Sequence, residues 1–171
     1  MERSWGFVKK ITIQLSAESI KAAIKDLEKY KREIARKVQK LIDLMVEHGE
    51  DYAINQVGHV DSGETLSSIH GYRDGNKGVV VAGGNAIWLE FGTGVRHNGP
   101  AGGSPHPVGA ELGMTIGEYG QGKGANPNGW WYYDGDKVKH TYGIEANLFM
   151  WRTARELERV APELAREVFG K

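Results

Sequence analysis

Twelve of the 24 glycines fall in the 38 residues from Gly92 to Gly129, together with four of the five prolines, whereas residues 1–57 hold only Gly6 and Gly49. Backbone entropy opposes the ordering of so much glycine, so this stretch cannot supply the core of a domain. The chain has 171 residues, long enough for one domain with a real hydrophobic interior. It therefore divides into two materials within a single domain, 1–171. A conventional frame covers about 1–94 and 144–171, and a Gly-rich arm followed by an aromatic hairpin is set into it over about 95–143. Segments of this length inside compact domains are commonly functional, or order on a partner.

Charge and composition remove several classes of function. The 22 basic and 22 acidic side chains cancel, which disfavours a broadly basic nucleic-acid binder. With no cysteine there is neither a disulfide framework nor a thiolate metal site or nucleophile. No stretch approaches the ~18 consecutive apolar residues of a membrane span. The start, Met1 to Lys10, lacks the apolar centre of a secretion signal, so a soluble protein made in a cytoplasm is expected.

Near-alternation of apolar residues from Trp5 to Leu15 predicts a half-buried strand. Ser16 is a good N-cap for the segment that follows, with Glu18 in its first turn. Ile20, Ile24, Leu27, Tyr30, Ile34, Val38, Leu41 and Met45 then draw one apolar stripe at helical spacing. Eight basic and eight acidic residues between Ala17 and Val57 cancel on the other faces. Unbroken to Val57, this helix would be ~60 Å long, so a bend is expected at Gly49. Its stripe is expected to pack on a sheet or on neighbouring subunits.

Beyond it, Thr65–Tyr72 and Val79–Ala82 read as strands joined through Asp74-Gly75-Asn76. Ala86–Phe91 is too short for periodicity to separate helix from strand. Trp130–Tyr133 and Asp136–Tyr142 form a second predicted hairpin on an Asp134-Gly135 turn. A last helix begins near Ala146, with Pro162 either kinking it or starting a final segment. The predicted class is α+β: a small antiparallel sheet packed by a long N-terminal and a C-terminal helix, with the long Gly/Pro-rich insertion.

Candidate chemistry is sparse. Gly117-Glu118-Tyr119-Gly120-Gln121-Gly122-Lys123-Gly124 has the glycines and lysine of a phosphate loop. Gly124, however, stands where the magnesium-holding Ser or Thr belongs, and no apolar strand precedes it. Glu90 with His97, His106 or His140 would be the material for a metal or acid–base site, but the histidines lack ligand spacing and read as solvated loop residues. No catalytic, cofactor-binding or metal residue is therefore assigned, and no cofactor is expected. Arg96, Lys123, Lys137 and Lys139 beside Trp130–Tyr133 would suit a nucleic-acid surface. Residues 58–144 nevertheless carry six basic against eight acidic side chains, so no sequence-specific nucleic acid is expected as a partner. Arg96, His97, Trp130, Trp131, Tyr132, Tyr133 and Tyr142 are the candidate interface, since aromatic and Arg side chains are enriched in protein contacts.

Val60-Asp61-Ser62-Gly63-Glu64-Thr65-Leu66-Ser67-Ser68-Ile69, followed by Ala86-Ile87-Trp88-Leu89-Glu90-Phe91-Gly92-Thr93, resembles the paired signature of a bacteriophage family. These are the tail-completion, or head–tail joining, neck proteins of long-tailed double-stranded DNA phages. Val60, Asp61, Gly63, Ser68 and Ile69 match its first motif, and Ala86, Glu90, Gly92 and Thr93 its second. Asn147–Arg152 resembles the apolar start of the family's last helix. Ser62 stands for threonine and His59 for proline, and one extra residue separates Gly63 from Leu66. The insertion is longer than the link usual in the family.

The resemblance implies a non-enzymatic virion protein of the neck or tail top, in host cytoplasm during assembly. It would form part of a homo-oligomeric ring that completes the tail and joins it to the head, touching adjacent neck and tail proteins and no membrane. Another neck component, such as an adaptor or tail terminator, is the alternative within that biology. From another class, a small metal-dependent hydrolase would use Glu90 and the loop histidines. The residues themselves read as architecture: Asp61 and Ser62 turning the chain, Gly63 and Gly92 permitting sharp exits, and Glu90 bonding backbone donors in its turn.

Overall fold

A computed structural model describes residues 11, 12, 14, 16–57, 63–92, 106–109, 111, 128–144 and 146–170. The elements run α1 (Ala17–Val57), α2 (Glu64–Ser68), β1 (His70–Asp74), β2 (Lys77–Val81), α3 (Ala86–Phe91), β3 (Trp130–Asp134), β4 (Lys137–Thr141) and α4 (Phe149–Phe169). This is the expected α+β class, with the sheet divided into two antiparallel hairpins, β1–β2 and β3–β4. No helix among the described residues is long and apolar enough to cross a membrane. The strand expected over Trp5–Leu15 lies outside the described residues apart from positions 11, 12 and 14.

Helix α1 starts where its cap predicts. The Ser19 N–H donates to Ser16 Oγ at 3.1 Å, and Ser19 Oγ in turn accepts from the Gln14 N–H at 3.0 Å. One of the donors that a helix start leaves over is thereby satisfied, and the Gln14 amide ahead of the cap gains a partner. The helix continues through Gly49, which does not end it. That residue serves close packing instead: a Cβ there would lie 3.0 Å from Val80 Cγ2 and 3.1 Å from Leu157 Cδ1. Gly49 lets β2 and α4 close on the same spot of α1.

The β1–β2 hairpin lies against α1 through two more glycines. A Cβ on Gly71 would come within 2.5 Å of Val46 Cγ1, and one on Gly78 within 2.6 Å of Val46 Cγ2. The Gly71 N–H donates to Glu50 Oε2 at 2.9 Å, and Arg73 reaches both Asp43 oxygens at 3.0 Å. Asp74 pairs with Lys77, which makes Gly75-Asn76 the two-residue turn. The strand expected to begin at Thr65 starts only at His70. Residues 64–68 turn as α2 because the Ser67 and Ser68 hydroxyls bond the Glu64 and Thr65 carbonyls three residues back, offering the backbone a local alternative to extension.

Helix α4 packs along α1 in the opposite direction. Arg152 Nη1 donates to Gln56, His48 meets Glu156 at 3.2 Å, and Glu167 and Val168 lie beside Glu33–Lys40. Pro162 sits inside α4 without interrupting it. The core gathers at one end of the frame, where Ala53, Val57, Ile69, Ala86, Leu89 and Phe149 are buried together. At the other end α1 outruns α4, and its apolar stripe emerges: Ile20, Ile24 and Leu27 are 45%, 53% and 51% exposed.

Candidate functional site

The two family-like motifs converge on the buried end of the frame. Leu66, Ile69 and Ala86 belong to the core or pack on it. Ser68 Oγ accepts from the Gly83 N–H at 3.1 Å and donates to the Thr65 carbonyl at 2.7 Å, tying α2 to the loop before α3. Gly63 (φ 73°) and Gly92 (φ 75°) adopt backbone conformations that side chains disfavour, at the start of α2 and the end of α3. Val60, Asp61, Ser62, Thr93, Arg96 and His97 lie outside the described residues.

Glu90 is the centre of this end. It is 6% exposed, and its carboxylate accepts three hydrogen bonds: Met150 N–H to Oε2 at 2.8 Å, Trp151 N–H to Oε1 at 2.9 Å, and His106 Nε2–H to Oε1 at 2.8 Å. The expectation that Glu90 bonds backbone donors holds, but the donors belong to another element. They are the first-turn amides of α4 rather than those of its own turn. Leu148 stands at the N-cap of α4, in a left-handed conformation (φ 59°), and has no side chain able to cap. Glu90 supplies the missing acceptor from α3, and a negative charge there also complements the helix dipole. The Asn147 N–H to Leu89 O (2.7 Å) and Leu148 N–H to Glu90 O (3.2 Å) bonds fasten the same two segments through their backbones.

His106 overturns its reading as a solvated loop histidine. It is 5% exposed, with its ring centroid 4.4 Å from that of Phe91 and 6.5 Å from that of Trp151. Its Nδ1 accepts from the Val108 N–H at 3.2 Å, which leaves the ring proton on Nε2 for Glu90. The imidazole in this arrangement is neutral and locked in one tautomer, so it is a donor toward a carboxylate already serving two amides. Together with Ala82, Ile87, Phe91, Val108, Met150 and Trp151, the two side chains line a groove of about 360 Å³. Among the described residues no three His, Asp or Glu side chains group as a metal site.

The candidate interface residues that are described lie on β3–β4. Trp131 is 65% and Tyr133 80% exposed, with Tyr132 and Tyr142 also exposed and Trp130 half-buried. Trp131, His140 and Tyr142 line up on one face, each ring 4.8 Å from the next, and His140 donates to the Asn128 carbonyl at 2.8 Å. The turn falls at Gly135-Asp136, one residue later than the sequence suggests, because Asp134 pairs with Lys137. Comparison with protein-family models, with curated proteins and with solved structures finds no match.

Proposed function

We propose that this chain is a structural, non-enzymatic virion subunit of a bacteriophage neck or tail top, forming part of a ring that completes the tail and joins it to the head. The observation that carries the reading is the unburied apolar stripe of α1. The face that packs β2 and α4 at Gly49 continues past the end of α4, with half of the Ile24 and Leu27 surfaces in water. Large contiguous apolar surface on a folded chain marks an interaction site. The aromatic face of β3–β4 adds a second such surface, and a lone two-stranded hairpin is marginal without a partner. The role of Glu90 as a cap supports reading the motif pair as a signature of architecture. Adjacent neck and tail proteins, and further copies of the chain, are the partners this reading assigns, in the virion and in host cytoplasm during assembly.

Electron microscopy of the purified full chain and of virions tests it. Rings assembled without metal, and virion joining lost when residues 112–127 are deleted, are the expected results. That deletion spares His106 and so keeps Glu90 satisfied, unlike one spanning Asn98–Asn128. Stoichiometric metal, with a hydrolytic activity lost in His97→Ala and His106→Ala, would overturn the proposal for the enzyme that the Glu90–His106 contact otherwise suggests. Labelling elsewhere in the virion would move the chain to an adaptor or tail-terminator role.

A further inference from the structure

The charges of α1 cancel in number but not in place. Lys21, Lys25, Lys29, Arg32, Arg36 and Lys40 follow one another at steps of three or four residues, along one side of the helix. Asp43, Glu47 and Asp51 continue the same line. All eight basic residues of α1 precede Leu41, and the four acids after it have no Lys or Arg following Leu41 on the helix. One side of the helix is thus predominantly basic for ~29 Å, interrupted by Glu33, and then acidic for ~12 Å.

Within the chain this order is served only in part, by Arg73 on Asp43 and by Glu167 beside Arg36 and Lys40. Like charges four residues apart destabilise a helix, and the line contains Lys21–Lys25, Lys25–Lys29, Arg32–Arg36, Arg36–Lys40, Asp43–Glu47 and Glu47–Asp51. The helix dipole does not account for it either, because its influence fades beyond the terminal turns. Among the described residues Arg32 has Glu28 at 3.9 Å and Asp43 has Arg73 at 3.0 Å, while Lys25, Lys29, Arg36, Glu47 and Asp51 form no ion pair. Glu47 and Asp51 are exposed, as are Lys25, Lys29 and Arg36.

We infer that this side of α1 is a contact surface for the α1 of a second copy of the chain, laid antiparallel. Its charge complement is present on the same helix: an antiparallel partner sets Lys29, Arg32 and Arg36 against Asp51, Glu47 and Asp43, twice over by symmetry. A parallel partner would set like against like, so charge selects the direction. The contact uses a different side of α1 from the apolar stripe and stands whether or not the chain belongs to a phage neck.

Sedimentation of the full-length protein tests it. Self-association is expected, weakening roughly tenfold between about 0.1 M and about 1 M salt as the screening length falls from ~10 to ~3 Å. The pairs Lys29→Glu/Arg32→Glu and Glu47→Lys/Asp51→Lys each reverse two exposed charges, the first pair facing the second across the contact, and should each weaken it roughly tenfold or more. Mixed in equal amounts, the two variants should associate again, because each then meets its complement. Circular dichroism identical to the parent verifies that both variants are folded. A monomer at every concentration, self-association indifferent to salt and to reversal, or no association on mixing would overturn the inference. So would a monomer retained on duplex DNA through Lys29 and Arg32, which would assign the basic block to nucleic acid. Metal-dependent catalysis would sink the neck proposal and leave this result untouched.

Discussion

The Glu90 carboxylate and the Met150 amide lie 2.8 Å apart across sixty residues of sequence, and this bond starts the C-terminal helix. Replacing Glu90 with alanine removes the cap of α4 and leaves the His106 donor buried without its partner. The expected loss is about 2–4 kcal/mol, summing a capping term and one unsatisfied buried group. Glu90→Gln keeps one acceptor oxygen and should lose about half as much. Urea unfolding of both variants measures this, and equal stabilities for parent and Glu90→Ala would refute the capping role.

His106 contributes differently. It holds Val108 through Nδ1 and Glu90 through Nε2, so its loss frees the local chain more than it weakens the frame. His106→Ala should raise amide exchange at Val108 by an order of magnitude or more, while amides in the middle of α1 keep their protection. Exchange that rises equally in α1 would mean that the histidine supports the whole fold.

The approach of the first hairpin to α1 depends on missing side chains. Gly71→Ala would force a Cβ to within 2.5 Å of Val46 Cγ1, with the Val46 carbonyl 3.3 Å away on the other side. Such overpacking costs about 1–3 kcal/mol. Gly75→Ala, in the open turn at φ 58°, meets no atom within 4 Å and bears only the backbone cost of about 1 kcal/mol. Thermal unfolding should therefore rank Gly71→Ala below Gly75→Ala, and the reverse order would discount the close approach.

Acid should weaken a carboxylate pair within α4 that also reaches His48 of α1. Arg159 holds the Glu156 carboxyl in a two-pronged hydrogen bond, with His48 also on it, lowering its pKa from 4.5 to about 2. A carboxyl whose folded pKa is depressed stabilises the fold above its unfolded pKa and loses that contribution as pH falls. The stability difference between the parent and Glu156→Gln should hold at neutral pH and shrink as pH falls from about 4.5 to about 2. A difference that persists unchanged to pH 2 would assign it to packing instead.

The elements legible in sequence are those written by local spacing. The stripe from Ile20 to Met45, the Ser16 cap and the two glycine turns all involve residues within a few positions of one another. The parts that were not legible depend on distant partners. Gly49 suggests only a bend, and nothing near it in sequence shows that Val80 and Leu157 need its space. His106 looks solvated because nothing nearby announces Phe91 and Trp151. One clue was available: Asn147-Leu148-Phe149 opens a strongly patterned helix with no short acceptor at its N-cap and no acid in its first turn. A helix start of that kind requires an acceptor from elsewhere, and Glu90 was the carboxylate without a task. The block order of charges along α1 was equally readable, but totals conceal it.

The bonds joining Leu89 and Glu90 to Asn147 and Leu148 hold the two shores of the insertion together. The frame is closed before the intervening chain is counted, and each doubling of a closed loop adds only ~0.6 kcal/mol of entropy cost. Apart from the turn at His106–Gly109, which seats on Glu90, the chain between Gly92 and Ala146 can therefore lengthen, shorten or be exchanged with little effect on the rest. A scaffold of this kind keeps its identity while its passenger diverges, and it offers a natural place to graft a foreign peptide.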